Sequence, residues 1–228
     1  MERGKARLNA VLFQFMLTTI IFDAEGVVFD TESVWDRAQV EFLKRRGIVY
    51  RRDEVKPLLT GRSLIEGVRV MQNLYGFPGV PEILAQERFS IVKECLVIGM
   101  HFIGGFLDFY QQVRNKYKMC IATAMNRTLF QIVENTLDLQ SLFGENIFFI
   151  DDVEGKGKPE PDIFLYAAKK LQATVNECVV IEDAPLGIAA AKRAGMKCIA
   201  LTTTYRRERL QEAETIVDSF VQIDLSAF

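Results

Sequence analysis

The sequence predicts an α/β fold, a parallel sheet flanked by helices and interrupted early by a helical insertion. Three observations carry this reading. Short apolar runs recur, each about the length of a strand buried on both faces. Helical stretches separate them, the alternation of a parallel sheet. One long segment after the first run shows helical patterns and little strand. The balance of 228 residues, 49% hydrophobic and 25% charged, supplies enough apolar material for a large core. It excludes intrinsic disorder, collagen-like repeats and a disulfide scaffold as the main description.

The expected strands are Thr19–Phe22, Lys118–Ala122, Ile147–Ile150, Cys178–Ile181 and Lys197–Leu201. Phe106–Lys116 follows Gly104 and Gly105 and gathers Phe106, Phe109, Tyr110 and Val113 on one helical face. Asp162–Leu171 follows two prolines and opens on a capping-type Asp. Leu186–Ala194 ends at Gly195, a natural helix terminator. Right-handed crossovers between such units bring all strand carboxyl ends to one edge, where ligands bind. Residues 36–103 form the insertion, with helical patterns over Arg37–Arg46, Ser63–Tyr75 and Pro81–Leu96. The expected organisation is a core of residues 16–35 and 104–228 with a cap of residues 36–103. Hinges are expected near residues 34–37 and 102–105. Residues 1–15 carry Arg3, Lys5 and Arg7 before an apolar run, and are expected to be an extension outside the fold.

A net charge of −2 offers no basic face for nucleic acid and no polybasic membrane patch. No run is long enough to span a membrane. The chain's one histidine, His101, excludes a multi-histidine zinc site. Cys95, Cys120, Cys178 and Cys198 form no C-x-x-C pair and read as buried thiols of a cytoplasmic protein.

Four constellations follow four of these runs. Asp23 and Glu25 follow the first, in Phe22-Asp23-Ala24-Glu25-Gly26; alone, they are acids of the kind that punctuate turns. Thr123 ends the second, where its hydroxyl can donate to an anion. Lys158 stands in Gly157-Lys158-Pro159-Glu160-Pro161, where proline fixes the backbone and presents the amine in a defined place. Glu182 and Asp183 follow the fourth, oxygen donors suited to a hard divalent cation or, for Asp183, to helix capping. Each is a modest signal; their order along one sheet edge is the specific one.

That order, in IIFDAEGVVFDTE, CIATAMN, GKPEPDIF and VVIEDAPLGIAAAKRAGM, resembles the haloacid dehalogenase-like (HAD) hydrolase superfamily. The resemblance is to its beta-phosphoglucomutase-like and sugar-phosphate phosphatase branch, and runs from about Thr18 to Asp224. It implies a Rossmann-like core with an inserted helical C1-type cap. It also implies Mg2+-dependent hydrolysis of a small phosphorylated metabolite. The expected state is a monomer or weak homo-oligomer. Asp23 would be the nucleophile that forms an aspartyl-phosphate. Glu25 would be the general acid and then base. Thr123 and Lys158 would hold the phosphoryl oxygens. Asp23, the Glu25 backbone carbonyl and Asp183 would hold the metal, which relieves repulsion between carboxylate and phosphate. Glu182 would either join them through water or pair with Lys158. Trp35, Arg62, Ala124 and Asn126 would face the substrate.

The family normally has Asp where this chain has Glu25, one methylene longer. Two outcomes stand open: the backbone accommodates the longer arm, or activity falls. A beta-phosphoglucomutase-type mutase is the alternative function. Its cap histidine would fall where this chain has Trp35, and SVWDRA is closer to the branch's sugar-phosphate phosphatases. A non-catalytic homologue is a third reading, kept open by Glu25.

Overall fold

The computed structural model describes residues 16–59, 62–125 and 127–228. The expected N-terminal extension and Asn126 lie outside the described residues. Strands β1 (Thr19–Phe22), β2 (Lys118–Thr123), β3 (Ile147–Phe149), β4 (Cys178–Glu182), β5 (Lys197–Leu201) and β6 (Thr215–Val217) form one sheet. Its order is β3-β2-β1-β4-β5-β6, every pair parallel. The chain fills one side of β1, then returns to the other side at β4. The crevice of an open α/β sheet forms at such a reversal, outside the strand carboxyl ends.

Alternation along β1 builds two cores. Ile20 and Phe22 face a core that takes in helices α5 (Phe106–Val113), α6 (Arg127–Leu137) and α7 (Leu139–Phe143). Ile21 faces the other, with α8 (Asp162–Lys170) and α9 (Pro185–Arg193). Both faces are covered, so the strands read as continuous apolar runs. Cys120, Cys178 and Cys198 are buried in the second core and Cys95 is half-buried.

Four helices precede α5: α1 (Glu32–Lys44), α2 (Arg52–Leu59), α3 (Leu64–Tyr75) and α4 (Pro81–Gly99). The longest, α4, packs against α1 and α3 and touches α6. Its start is Pro81, which suits a first helical position. At α3, Ser63 and Glu66 form a reciprocal cap. The two connections to this bundle lie side by side: Phe29 and Phe102 form an antiparallel bridge, and Ile103 donates to the Val28 carbonyl at 3.0 Å.

Several boundaries differ from expectation. Helix α1 begins at Glu32, not Arg37, because Asp30 accepts from the Ser33 amide at 3.1 Å and Glu32 suits the first turn. The expected hinge at residues 34–37 therefore falls inside α1. Strand β6 and helices α2, α6 and α7 lie outside the sequence expectations. Among the described residues, no helix is long and apolar enough to cross a membrane.

Candidate active site

Strand β1 delivers Asp23 to the sheet edge. The Phe22 ring before it is packed edge-on by Phe106, Phe143 and Phe109, with centroids 5.7, 5.9 and 6.3 Å away. The Asp23 amide donates to the Ile181 carbonyl of β4 at 2.9 Å. Backbone and neighbour are thus both fixed, and Asp23 is 6% exposed.

Lys158 reaches this carboxylate from the loop before α8. Its Nζ donates to Asp23 Oδ1 and, at 2.6 Å, to Glu182 Oε1. The Phe164 ring lies 5.0 Å from the ammonium. The Lys158–Pro159 peptide is cis. Arg193, in the last turn of α9, ties this loop down by donating to the Pro159 carbonyl at 3.2 Å and to Glu160 at 2.9 Å. Glu182 Oε2 accepts the amides of Asp183 and Ala184, each at 2.8 Å. Both Glu182 oxygens are thus engaged. Of its two expected roles, pairing with Lys158 is the one the hydrogen bonds display.

Asp183 lies against Gly26, whose φ is +76°. A Cβ at Gly26 would fall 1.9 Å from Asp183 Oδ2 and 2.6 Å from Thr204 Oγ1. Only glycine fits there. Thr204 hydrogen-bonds to the Asp183 carboxylate, and the Thr203 hydroxyl donates to the Gly26 carbonyl at 2.5 Å. The same economy of space holds at Gly187, where a Cβ would lie 1.7 Å from Glu182 Oε1.

The electrostatics follow from three carboxylates around one ammonium. Burial pushes Asp23 up to about 7, with Lys158 opposing and Glu182 adding to the rise. Burial, then Glu182 and Asp23, raise Asp183 well above the usual carboxylate range. Burial alone would lower the Lys158 ammonium, but Asp23 and Glu182 together raise it. The excess of buried negative charge fits a divalent cation, and carboxylate oxygens suit Mg2+. Among the described residues, no group of three or more His, Cys, Asp or Glu side chains gathers to hold a metal. The expected set of Asp23, Glu25, Glu182 and Asp183 lines one cavity at the sheet edge. Within it, both Glu182 oxygens are already engaged by Lys158 and two amides.

Glu25 is half-buried and hydrogen-bonded to Thr31, and burial raises its carboxyl above the usual range. Thr123 ends β2 with its hydroxyl accepting from the Met125 amide at 3.0 Å. Ala124 lines a cavity of about 340 Å³ together with Asp23, Glu25, Lys158 and Asp183. Trp35 lines it too, and also a second cavity of about 410 Å³ shared by Glu25 and Arg62. Arg62 donates from Nε to the Leu58 carbonyl at 2.7 Å.

Sequence reasoning missed Thr204, Gly26, Gly187, Arg193 and the buried Arg88 that lines the second cavity. The strand-end rule applied to β5 would have found Thr204. The glycines and Arg193 act through contacts that only the fold creates.

A family described as hydrolase, haloacid dehalogenase-like hydrolase, matches residues 17–195. The chain is 32% identical over 202 residues to Protein SUPPRESSOR OF QUENCHING 1, chloroplastic, of Arabidopsis thaliana. That match covers 86% of this chain and spans only 19% of the plant protein. It is 27% identical over 208 residues to the Validoxylamine A 7'-phosphate phosphatase of Streptomyces hygroscopicus subsp. limoneus, covering 91% of this chain and 96% of that one. A solved HAD family hydrolase from Deinococcus radiodurans R1, with bound phosphate and sodium, superposes with a TM-score of 0.80 at 22% identity. There the overlap is 93% of this chain and 96% of the other. By the family match over residues 17–195, the chain belongs to the haloacid dehalogenase-like hydrolase family.

Proposed function

We propose that the chain is a Mg2+-dependent phosphatase of a small phosphorylated metabolite, working through an aspartyl-phosphate on Asp23. The observation that carries this is the buried Asp23–Lys158–Glu182 chain of ion pairs at the sheet reversal. A buried cation shared by two carboxylates is costly unless the site needs it. The phosphatase named among the relatives supports the reaction class.

Among the described residues, Asp23 Oδ2 accepts no hydrogen bond, so that oxygen attacks phosphorus while Oδ1 stays on Lys158. The bond from phosphorus to the substrate oxygen breaks, and Glu25 protonates the departing alkoxide. Glu25, now a carboxylate, takes a proton from water. The water oxygen attacks phosphorus, releasing inorganic phosphate and restoring Asp23. Lys158 and the Thr123 hydroxyl stabilise charge on the phosphoryl oxygens. Asp23, Asp183 and the Glu25 carbonyl would hold Mg2+, which offsets the repulsion between carboxylate and phosphate when bound.

The helical bundle of residues 36–103 serves as the cap, and Trp35, Arg62, Ala124 and Asn126 as the substrate-facing set. Burial of three thiols accords with a reducing compartment such as the cytoplasm. Phosphatase ranks ahead of mutase: the family position for a cap histidine holds Trp35, and His101 Nδ1 lies 3.2 Å from the Gly99 carbonyl. The test is phosphate release from a panel of sugar and small-metabolite phosphates, with Mg2+ or EDTA. Metal-dependent release that Asp23→Asn abolishes is the expected result. No release from any compound, with the protein folded, would overturn the reading.

A further inference from the structure

We propose that Arg88 recognises a second anionic group on the substrate, a carboxylate or a further phosphoryl group, in the cavity next to the Asp23 site. This rests on the phosphatase reading for the identity of the first group. Arg88 lies on α4 and is only 5% exposed. Arginines buried this deeply are normally paired with an acid. Among the described residues, no carboxylate pairs with Arg88. Its Nε donates to Gln39 Oε1 at 2.9 Å, and Nη1 makes a long contact of 3.5 Å to the Leu64 carbonyl. Nη2 has no acceptor among the described residues. By contrast, Arg46 on α1's C-terminal flank has Glu87, and Arg52 has Asp36.

The guanidinium is held in a built setting. Its carbon lies 5.3 Å from the Trp35 ring centroid. On another side, a Cβ at Gly67 would fall 2.8 Å from Nη1. A glycine inside α3, unfavourable for a helix, thus makes room for Arg88. Burial pushes the guanidinium down to about 10, opposed by the Tyr50 phenol, whose hydroxyl donates to Asp36 at 3.2 Å, and by no carboxylate.

The acids of the same cavity are already engaged. Asp36 accepts from Arg52 at 2.7 Å and from Lys56 at 3.1 Å; Glu32 pairs with Lys56; Glu25 bonds to Thr31. No described residue is thus left to supply the counter-charge to Arg88, and the ligand carries it. Leu59, Leu64, Phe89 and Leu129 line the same space. Apolar walls lower the local dielectric and strengthen an ion pair. A planar guanidinium matches a carboxylate or phosphoryl group better than it matches a hydroxyl.

The test uses matched pairs: glucose 6-phosphate with 6-phosphogluconate for the carboxylate, and fructose 6-phosphate with fructose 1,6-bisphosphate for the phosphoryl group. In one pair, the wild-type enzyme prefers the member with the second anion by roughly 30-fold or more in kcat/KM. Arg88→Met, of similar volume, removes that preference through KM and leaves kcat within about twofold; Arg88→Lys restores part of it. No wild-type preference in either pair, or equal losses for both members in Arg88→Met, overturns the proposal. A binding arm separates this from the phosphatase reading. Trp35 is the only tryptophan, so its emission reports ligand reaching Arg88. In Asp23→Asn, 6-phosphogluconate or fructose 1,6-bisphosphate should shift that emission, and adding Arg88→Met should abolish the shift. If no compound is hydrolysed, the phosphatase reading fails and this arm alone decides on Arg88. Arg88-dependent binding supports the proposal, and binding that is absent or indifferent to Arg88 overturns it.

Discussion

Replacing Gly187 with alanine should destabilise this protein, although the same change inside most helices stabilises. In a helix interior, Gly→Ala normally gains about 1 kcal/mol. Gly187 lies in α9, but its Cβ would fall 1.7 Å from Glu182 Oε1, 1.9 Å from Cδ and 2.5 Å from Oε2. The carboxylate must withdraw by more than about 1 Å to reach ordinary contact. Its bonds to Lys158 at 2.6 Å and to two amides at 2.8 Å then break. Splitting a buried ion pair and orphaning two amides costs about 3–5 kcal/mol, which outweighs the helical gain. The net loss is about 2–4 kcal/mol; at about 2–4 °C per kcal/mol for a chain of this size, the Tm should fall by roughly 4–16 °C. Lys158 loses its fixed position, and a shift of about 1 Å costs about 100-fold in turnover. Thermal unfolding and phosphate release measure the two effects. Gly104→Ala is the control for Tm, since nothing stands within 4 Å of its added carbon. A Tm that holds or rises in Gly187→Ala, with turnover within about twofold, would refute the claim that this carboxylate fixes Lys158.

The remaining predictions concern other parts of the molecule. Glu25→Asp should lower kcat by about 10- to 100-fold, because the shorter arm leaves the Thr31 bond and withdraws the proton donor; a rise in kcat would mean that Glu25 impairs the enzyme. Asp36→Asn should cost about 1 kcal/mol at neutral pH by removing contacts to Arg52 and Lys56. Burial opposes ionisation of Asp36, but Arg52 and Lys56 hold it below its usual value. Its contribution is therefore present above the unfolded carboxylate range and lost as pH falls through the folded value. Denaturant midpoints should show the wild-type advantage closing in acid; an advantage independent of pH would contradict this. Iodoacetamide should label Cys95 ahead of the other thiols in the native protein, since Cys120, Cys178 and Cys198 are buried and burial raises their thiols. Peptide mass analysis showing Cys198 modified first would count against the packing described.

The sheet was legible because its strands are buried on both faces, so their apolar runs stand out from the chain. Strand β6 was not, because Thr215–Val217 offers only two apolar residues, Ile216 and Val217, in a polar stretch between Glu214 and Asp218. Helix α2 hides behind its charges and Pro57, and is held by ion pairs to α1 rather than by a wide apolar face. At the site, the residue types and their order along the strand ends were readable, as was the pair of roles open to Glu182. The choice between those roles required the two amides that occupy its second oxygen. Arg88 was invisible for a related reason. In Ala85-Gln86-Glu87-Arg88-Phe89-Ser90, an arginine reads as part of a solvated face, and only the packing of α4 against α1 and α3 buries it. Gly26, Gly67 and Gly187 likewise matter for what approaches them from distant parts of the chain.

The central claim is that Asp23 becomes covalently phosphorylated during turnover. Acid quenching in the steady state, followed by borohydride, converts an aspartyl-phosphate to homoserine. The account predicts homoserine at residue 23, dependent on both substrate and Mg2+. Phosphate release with an unmodified residue 23, or undiminished release by Asp23→Asn, would contradict it.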